Sequence, residues 1–357
     1  MLKRIPALDG LRAIAILAVV GSHIVSTLIP ASFGVTLFFF ISGFIITRLL
    51  LEDGRPRLIP FYIRRFFRLY PALLAYVLAS VIVAKFSGES VSLRSVAGAL
   101  FFFTNYLDGT SAYFTHTWSL AVEEHFYILF PLLVLLLHRR PERLQAALIL
   151  CVVICLGLRS YELYADVASG AIQGQTHTRL DSIAYGCLLS VLFHRAEASA
   201  RVAKLLDVLS TRRALVAGVL LLASTFAFRS ETFRQTLRYS MQGLSFAVFF
   251  CVLFWGKSAP RVMVCLLESK LMVYIGAVSY SLYLFHQLAR TIGYQLGFDQ
   301  YTLSHIAVTL SISAPMVLIS YYFVEGPCRR YGAGLAARLR SGGAHASANN
   351  PASSAAR

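Results

Sequence analysis

The chain has 357 residues, of which 57% are hydrophobic and 14% charged, and its formal net charge is +16, from 33 Lys+Arg against 17 Asp+Glu. A soluble domain carries about 25% charged residues, so these proportions exclude an ordinary soluble enzyme, a disordered chain, collagen and a disulfide scaffold. A chain this apolar and this basic must concentrate its positive charge in particular segments.

The basic start, MLKRIPALDG, is not followed by a small-residue cleavage site after the first apolar run. It reads as a retained span and not as a removed signal peptide. Apolar runs then recur near 8–29, 34–51, 70–86, 120–137, 145–159, 180–194, 212–228, 238–256, 272–293 and 303–324. Such runs, at roughly 17–22 residues, are long enough for a hydrocarbon core about 30 Å thick. Backbone polar groups in lipid must be satisfied internally, and continuous runs such as LVAGVLLLASTFAF lack the alternation of barrel strands. The fold class is therefore an all-α integral membrane protein of about ten transmembrane helices. The segment near 95–107 is short and capped by Asn105 and Asp108.

Charge decides whether that segment crosses. If it does not, and the N-terminus is cytoplasmic, 25 Lys+Arg fall inside and 8 outside. If it does, every later loop flips and the split becomes 15 and 18. The positive-inside rule selects the first arrangement. Ten spans with both termini cytoplasmic follow, and 95–107 is re-entrant or interfacial. Residues 1–330 read as one transmembrane domain. The segment 331–357, which ends in a stretch rich in Ala, Ser, Gly and Asn, reads as a disordered cytoplasmic tail. The six cysteines show no CxxC pair and no His-rich partner, so they read as small buried hydrophobes, with neither a metal site nor a disulfide implied.

Ionisable groups inside spans are expensive and mark function. The first span holds Asp9, Arg12 and His23, with Arg12 and His23 on one face about 16 Å apart along the axis. The other reading of His23 is a hydrogen-bonded structural histidine. THTWSLAVEEHFYILFP places His116, Glu123, Glu124 and His125 at the outer start of the fourth span. Adjacent carboxylates point about 100° apart on a helix, so one can anchor a pocket while the other caps the helix start. THTRLDS brings His177, Arg179 and Asp181 to the outer start of the sixth span, where a solvated cap is the plainer reading. His286 lies in the outer half of its span. In the inner loop FYIRRFFRLYP, Arg64, Arg65 and Arg68 alternate with aromatics, a pattern suited to phosphate oxygens or to anionic lipid. The basic residues are scattered over membrane-side loops without a DNA- or RNA-binding motif, which argues against nucleic acid.

The order of these segments resembles the membrane-bound acyltransferase 3 family. The matching stretches are LDGLRAIAILAVVGSH, GVTLFFFISGFIIT, FYIRRFFRLYP, THTWSLAVEEHFYILFP, THTRLDSIAYG, YIGAVSYSLYLFHQ and FVEGPCRR, from Leu8 to Arg330. The resemblance implies an O-acyltransferase of the inner membrane that uses cytoplasmic acetyl-CoA or another acyl-CoA. It also implies a carbohydrate or lipid-linked glycan as extracytoplasmic acceptor. His23 is similar to the family's essential histidine and Arg12 to its arginine in the same span. Arg64, Arg65 and Arg68 fall in the motif associated with the donor. Glu124, Arg179, Asp181 and Glu325 match further family positions, while His125 stands where glutamine is usual. The sequence from the last span to residue 357 reads without a hydrolase-like domain, and the expectation is that any second acyl carrier is a separate protein.

These readings combine into one arrangement. His23 is a general base, oriented by Glu124 or, second, by Asp181. Arg12, Arg64, Arg65 and Arg68 hold the donor. Asp9, Glu123, His177, Arg179 and His286 contact substrate. A transporter or flippase of a glycan is the alternative, and it predicts inverted repeats that the sequence does not display.

Overall fold

A computed structural model describes residues 5–26, 28, 30–52, 56–256 and 259–348, the last nine of these by backbone only. Among the described residues there is no strand. The first three helices are α1 (Pro6–Ile24), α2 (Ala31–Glu52) and α3 (Leu58–Phe86). Short α4 (Leu93–Leu100) leads through turns to α5 (Trp118–Leu137) and α6 (Pro141–Tyr164). Next come α7 (Ser169–Gly174), α8 (Thr176–Ala196), α9 (Ala200–Leu209) and α10 (Arg212–Ala227). They are followed by α11 (Glu231–Gln235), α12 (Leu237–Phe254), α13 (Arg261–Leu267), α14 (Lys270–Ala277) and α15 (Ser279–Gln295). Finally, α16 (Leu303–Ile319) passes through a π-helical turn, Ser320–Glu325, into α17 (Gly326–Ala348).

Most of each of the ten apolar runs lies on one of these helices or on a joined pair, the run near 8–29 leaving α1 after Ile24. Among the described residues, seven helices are long and apolar enough to cross a membrane, and the pair α14–α15, bent by 69°, makes an eighth if counted as one. Helices α8 and α10 fall outside that measure: α10 has 16 residues, and α8 carries His177, Arg179 and Asp181 in its first two turns. Within the segment near 95–107, helix α4 ends at Leu100 after only two turns. A helix that short rises about 12 Å, far less than a hydrocarbon core. The chain then turns at Phe102, whose φ is +59°.

Two expectations are corrected. FYIRRFFRLYP is not a loop, because α3 already begins at Leu58 and continues through Pro71 to Phe86. Three arginines argue against a helix in lipid only while they have no partners, and Arg65 finds two carboxylates on α5. The expected tail does not begin at 331. Helix α17 continues to Ala348, with Ala336 fully buried and Gly332 against the Phe67 ring of α3. Residues 349–357 lie outside the described residues.

Helix α2 is the centre of the bundle. It packs against α1 on one side and α8 on another, and most of its side chains are buried. Small residues permit this approach. A Cβ on Gly186 would overlap the Phe40 carbonyl, and one on Gly43 would overlap the Ile183 carbonyl, so α2 and α8 touch backbone to backbone. The apolar faces of α3, α6 and α10 point outward, with Leu78, Val153 and Leu220 exposed. This is the inversion expected where lipid is the solvent. Gly186→Val therefore costs at least about 1–3 kcal/mol, by overpacking, and lowers the melting temperature in detergent. Gly157→Ala in α6, with nothing near its added methyl, leaves it unchanged or slightly raised.

Candidate active site

The C-terminal half of α1 presents His23 to α15. His23 Nδ1 lies 3.0 Å from His286 Nε2. His286 Nδ1 lies 2.7 Å from the Tyr283 carbonyl one turn back, and 3.2 Å from that of Leu282. A carbonyl oxygen only accepts, so His286 Nδ1 carries the proton. In neutral His286, Nε2 is then an acceptor, and His23 donates to it from Nδ1. The Nε2 lone pair of His23 is left available as a base. The buried ring of His116 meets His286 edge-on with centroids 5.7 Å apart, and neither of its ring nitrogens has a hydrogen-bond partner. Tyr283 donates to the His116 carbonyl at 2.6 Å, and its hydroxyl lies 2.5 Å from Ser119 Oγ.

A cavity of about 980 Å³ approaches this group from the other end of α1. Ser119 and Tyr283 form part of its wall near the histidines. Arg12, Arg64, Arg65, Arg68 and Arg329 line it elsewhere, against the carboxylates of Glu52 and Glu123. Five guanidiniums against two carboxylates make it an anion-attracting space. Its volume is at the upper end for small-molecule sites. Arg12 is 3.7 Å from Asp9, one turn back on α1, so Asp9 belongs to the arginine end.

The glutamates are not where the sequence suggested. The sixth and seventh residues of α5, Glu123 and Glu124, lie beyond the capping positions. Both converge on Arg65 of α3. Arg65 Nε donates to Glu124 at 3.2 Å, and its NH2 stands 3.9 Å from Glu123. Ser42 of α2 donates to Glu123 at 2.9 Å, and the Arg65 guanidinium lies over the Tyr127 ring, 2.9 Å from its centroid. Neighbouring residues on a helix point in different directions, so the two carboxylates face different spaces. Glu123 lines the large cavity. Glu124 lines a smaller groove of about 200 Å³ beside Tyr62 and Ile128. Arg65 lies on both.

Neither carboxylate expected beside His23 is its partner. Glu124 is held by Arg65, and fully buried Asp181 is 2.7 Å from Arg159 NH2. His286 occupies the position assigned to them. Arg179 is fully buried with its NH2 on Thr36 Oγ1 at 2.9 Å, not in a solvated cap. His177 is half-exposed, with Nε2 2.5 Å from Glu162 and Nδ1 3.1 Å from the Tyr106 hydroxyl, apart from the His23 pair. His125 Nδ1 lies 2.7 Å from Thr176 Oγ1. Glu325, in the π-helical turn, accepts from Ser281 at 2.8 Å, with Arg329 at 3.9 Å.

The sequence reading passed over Ser42, Tyr283, Arg159 and Arg238. The first two are hydroxyls in apolar spans, which carry no charge to draw notice. The two arginines stand at run ends and read as loop charge. The buried pairing makes a prediction. Arg65→Gln strips the counter-ion from two buried carboxylates and destabilises by about 3–5 kcal/mol. Adding Glu124→Gln restores part of the loss, measured as denaturant midpoints in detergent.

The sequence model of the acyltransferase domain matches residues 5–325. The chain is similar to the O-acetyltransferase OatA of Staphylococcus aureus strain NCTC 8325 / PS 47, at 29% identity over 356 residues, 92% of this chain and 58% of the relative. A putative O-acetyltransferase of Staphylococcus aureus strain COL is also 29% identical over 356 residues, covering 93% of this chain and 58% of its own length. The chain thus spans less than two thirds of the length of these relatives. No solved structure matches. With the family's domain extending over nearly all of the residues described, the chain belongs to the acyltransferase 3 family.

Proposed function

We propose that this protein is an O-acyltransferase of the inner membrane, with ten crossings and both termini in the cytoplasm. It moves an acyl group, acetyl by analogy with its relatives' names, from acyl-CoA on the cytoplasmic side. The acceptor is a hydroxyl of an extracytoplasmic or membrane-linked carbohydrate. The observation that carries this reading is the cavity of about 980 Å³, with guanidiniums along its wall and Ser119 and Tyr283 where it nears the histidine pair.

Guanidinium forks match phosphate oxygens. Arg12, Arg64, Arg65 and Arg68 therefore hold the phosphates of the donor, which supplies the thioester. About 16 Å separates Arg12 from His23 along α1, a span that suits a slender arm reaching from a phosphate mouth to the base. His23 Nε2 takes the proton of the acceptor hydroxyl as its oxygen attacks the thioester carbonyl. The same proton passes to the departing sulfur as the C–S bond breaks, so His23 ends neutral. His286 keeps His23 in the Nδ1–H tautomer and accepts the hydrogen bond of the transient imidazolium. The carboxylates of Glu123 and Glu124 hold Arg65 in place, one of the guanidiniums that face the donor's phosphates.

His23→Ala lowers transfer by about 10²–10⁴-fold while the protein still inserts. The measurement is acetyl-CoA consumption by purified protein with an envelope glycan as acceptor, together with mass spectrometry of the glycans. Unchanged acetylation would sink the proposal. His286→Ala lowers kcat with little change in the KM for acyl-CoA. His286→Gln, whose carbonyl can accept from His23 Nδ1, recovers part of the rate. Arg68→Gln raises the KM for acyl-CoA about tenfold, the loss of one charge-assisted bond of about 1.5 kcal/mol, and leaves kcat nearly unchanged.

A further inference from the structure

Where α6 ends and α8 and α12 begin, three guanidiniums gather around one phenol ring. Arg179 stands 3.8 Å from the Tyr239 ring centroid, Arg238 5.2 Å and Arg159 5.3 Å. Arg159 and Arg179 are fully buried, and Arg238 is 3% exposed. Their hydrogen bonds account for only part of their donors. Arg159 reaches the Thr178 carbonyl and Asp181, Arg179 reaches Thr36, and Arg238 NH2 donates to the Tyr239 hydroxyl at 3.3 Å. The Nε of all three, and NH1 of Arg179, are buried without a partner.

Among the described residues, Asp181 is the one carboxylate within ion-pair distance of the three, and it sits on Arg159. The charge of Asp181 also acts on Arg179, and so do the positive charges of Arg159 and Arg238. A guanidinium stays protonated in proteins, so the cluster holds two positive charges more than Asp181 cancels. One aromatic face attracts cations but does not neutralise them. Buried charge without a counter-ion is strongly destabilising. The unpartnered donors of Arg179 and Arg238 therefore have the chemistry of an oxyanion site.

We propose that this cluster binds an anionic group, a carboxylate or phosphate, carried by the acceptor, which makes the acceptor an acidic glycan. The word acceptor rests on the acyltransferase reading; the anion site does not. The location suits a substrate group. The Arg179 guanidinium faces Phe39 and Trp118, with centroids 5.6 Å and 5.9 Å away. Phe39 lines the large cavity, and Ser119, next to Trp118 in the chain, also lines it and touches Tyr283. One aromatic layer thus separates the anion site from the cavity wall beside the histidines.

The test is the melting temperature of the full chain in detergent, at constant ionic strength, with glucuronate, glucose, acetate or inorganic phosphate. Glucuronate raises it by about 3 °C at saturation, and glucose does not. An equal rise with glucose overturns the site. An equal rise with acetate or phosphate overturns the acceptor assignment and leaves a site for free anions. Arg238→Met and Arg179→Met, each removing one uncompensated charge, abolish the glucuronate response and leave the unliganded protein as stable or more so. Lower unliganded stability with the response retained overturns the proposal by making these arginines structural. If neither variant accumulates in folded form, the comparison of glucuronate with glucose on the unaltered chain decides alone. No acyl donor is present in this assay. A failure of the acyltransferase reading appears separately, as acetyl-CoA left unconsumed with every acceptor.

Discussion

A charge inside an apolar helix bundle is tolerated only beside its opposite, and the ionisable residues of this protein are arranged accordingly. Arg65 is the clearest case. It draws together Glu123 and Glu124 of α5 and the ring of Tyr127, while Ser42 of α2 completes Glu123. Three helices are tied at one point, and the wall of the large cavity is built around it. Arg159 and Asp181 do the same for α6 and α8. Where the matching fails, as around Tyr239, the excess of charge is itself informative.

The histidines follow a different rule. A neutral imidazole needs only one donor partner and one acceptor partner, and backbone carbonyls of its own helix supply part of that. His286 is anchored on the Tyr283 carbonyl and anchors His23 in turn. A carboxylate in the place of His286 would stabilise an imidazolium more strongly, but it would also bury a charge that needs its own counter-ion. The carboxylates that the sequence offered for that place, Glu124 and Asp181, are already taken by arginines. An imidazole partner fixes the tautomer without adding a charge to the apolar interior.

Much of the fold was legible in the residues. Each of the ten apolar runs has most of its length on helix among the described residues, because about 20 residues of helix match the thickness of hydrocarbon and the backbone must bond to itself there. The segment near 95–107 holds a two-turn α-helix and a single 3-10 turn, in keeping with its short apolar run. The helical arginine segment from Leu58 did not read correctly, nor did the start of the tail. Both errors have one cause: local polarity was taken as exposure, whereas Arg65 is satisfied by α5 and Gly332 packs on Phe67. Of the candidate site, His23 and His286 were found as buried histidines, and Arg12, Arg64, Arg65 and Arg68 as a basic group. Tyr283, Ser42 and Arg238 were not found, since hydroxyls in spans and arginines at run ends have no distinguishing local pattern.

The sequence by itself determined where the apolar lengths of the long helices lie and which family the chain belongs to, since both are written in local hydropathy and in ordered motifs. Only the tertiary structure decided the partners. His23 and His286 are 263 residues apart in the chain, Arg65 and Glu124 are 59 apart, and Arg179 and Thr36 are 143 apart. Helical periodicity relates residues a few positions apart on one helix and carries nothing about which face meets another. That choice is made by close backbone contacts such as Gly186 on Phe40 and by the pairing of buried charge. It gave His23 an imidazole for a partner in place of a carboxylate, and it left three arginines around Tyr239 with one aspartate between them.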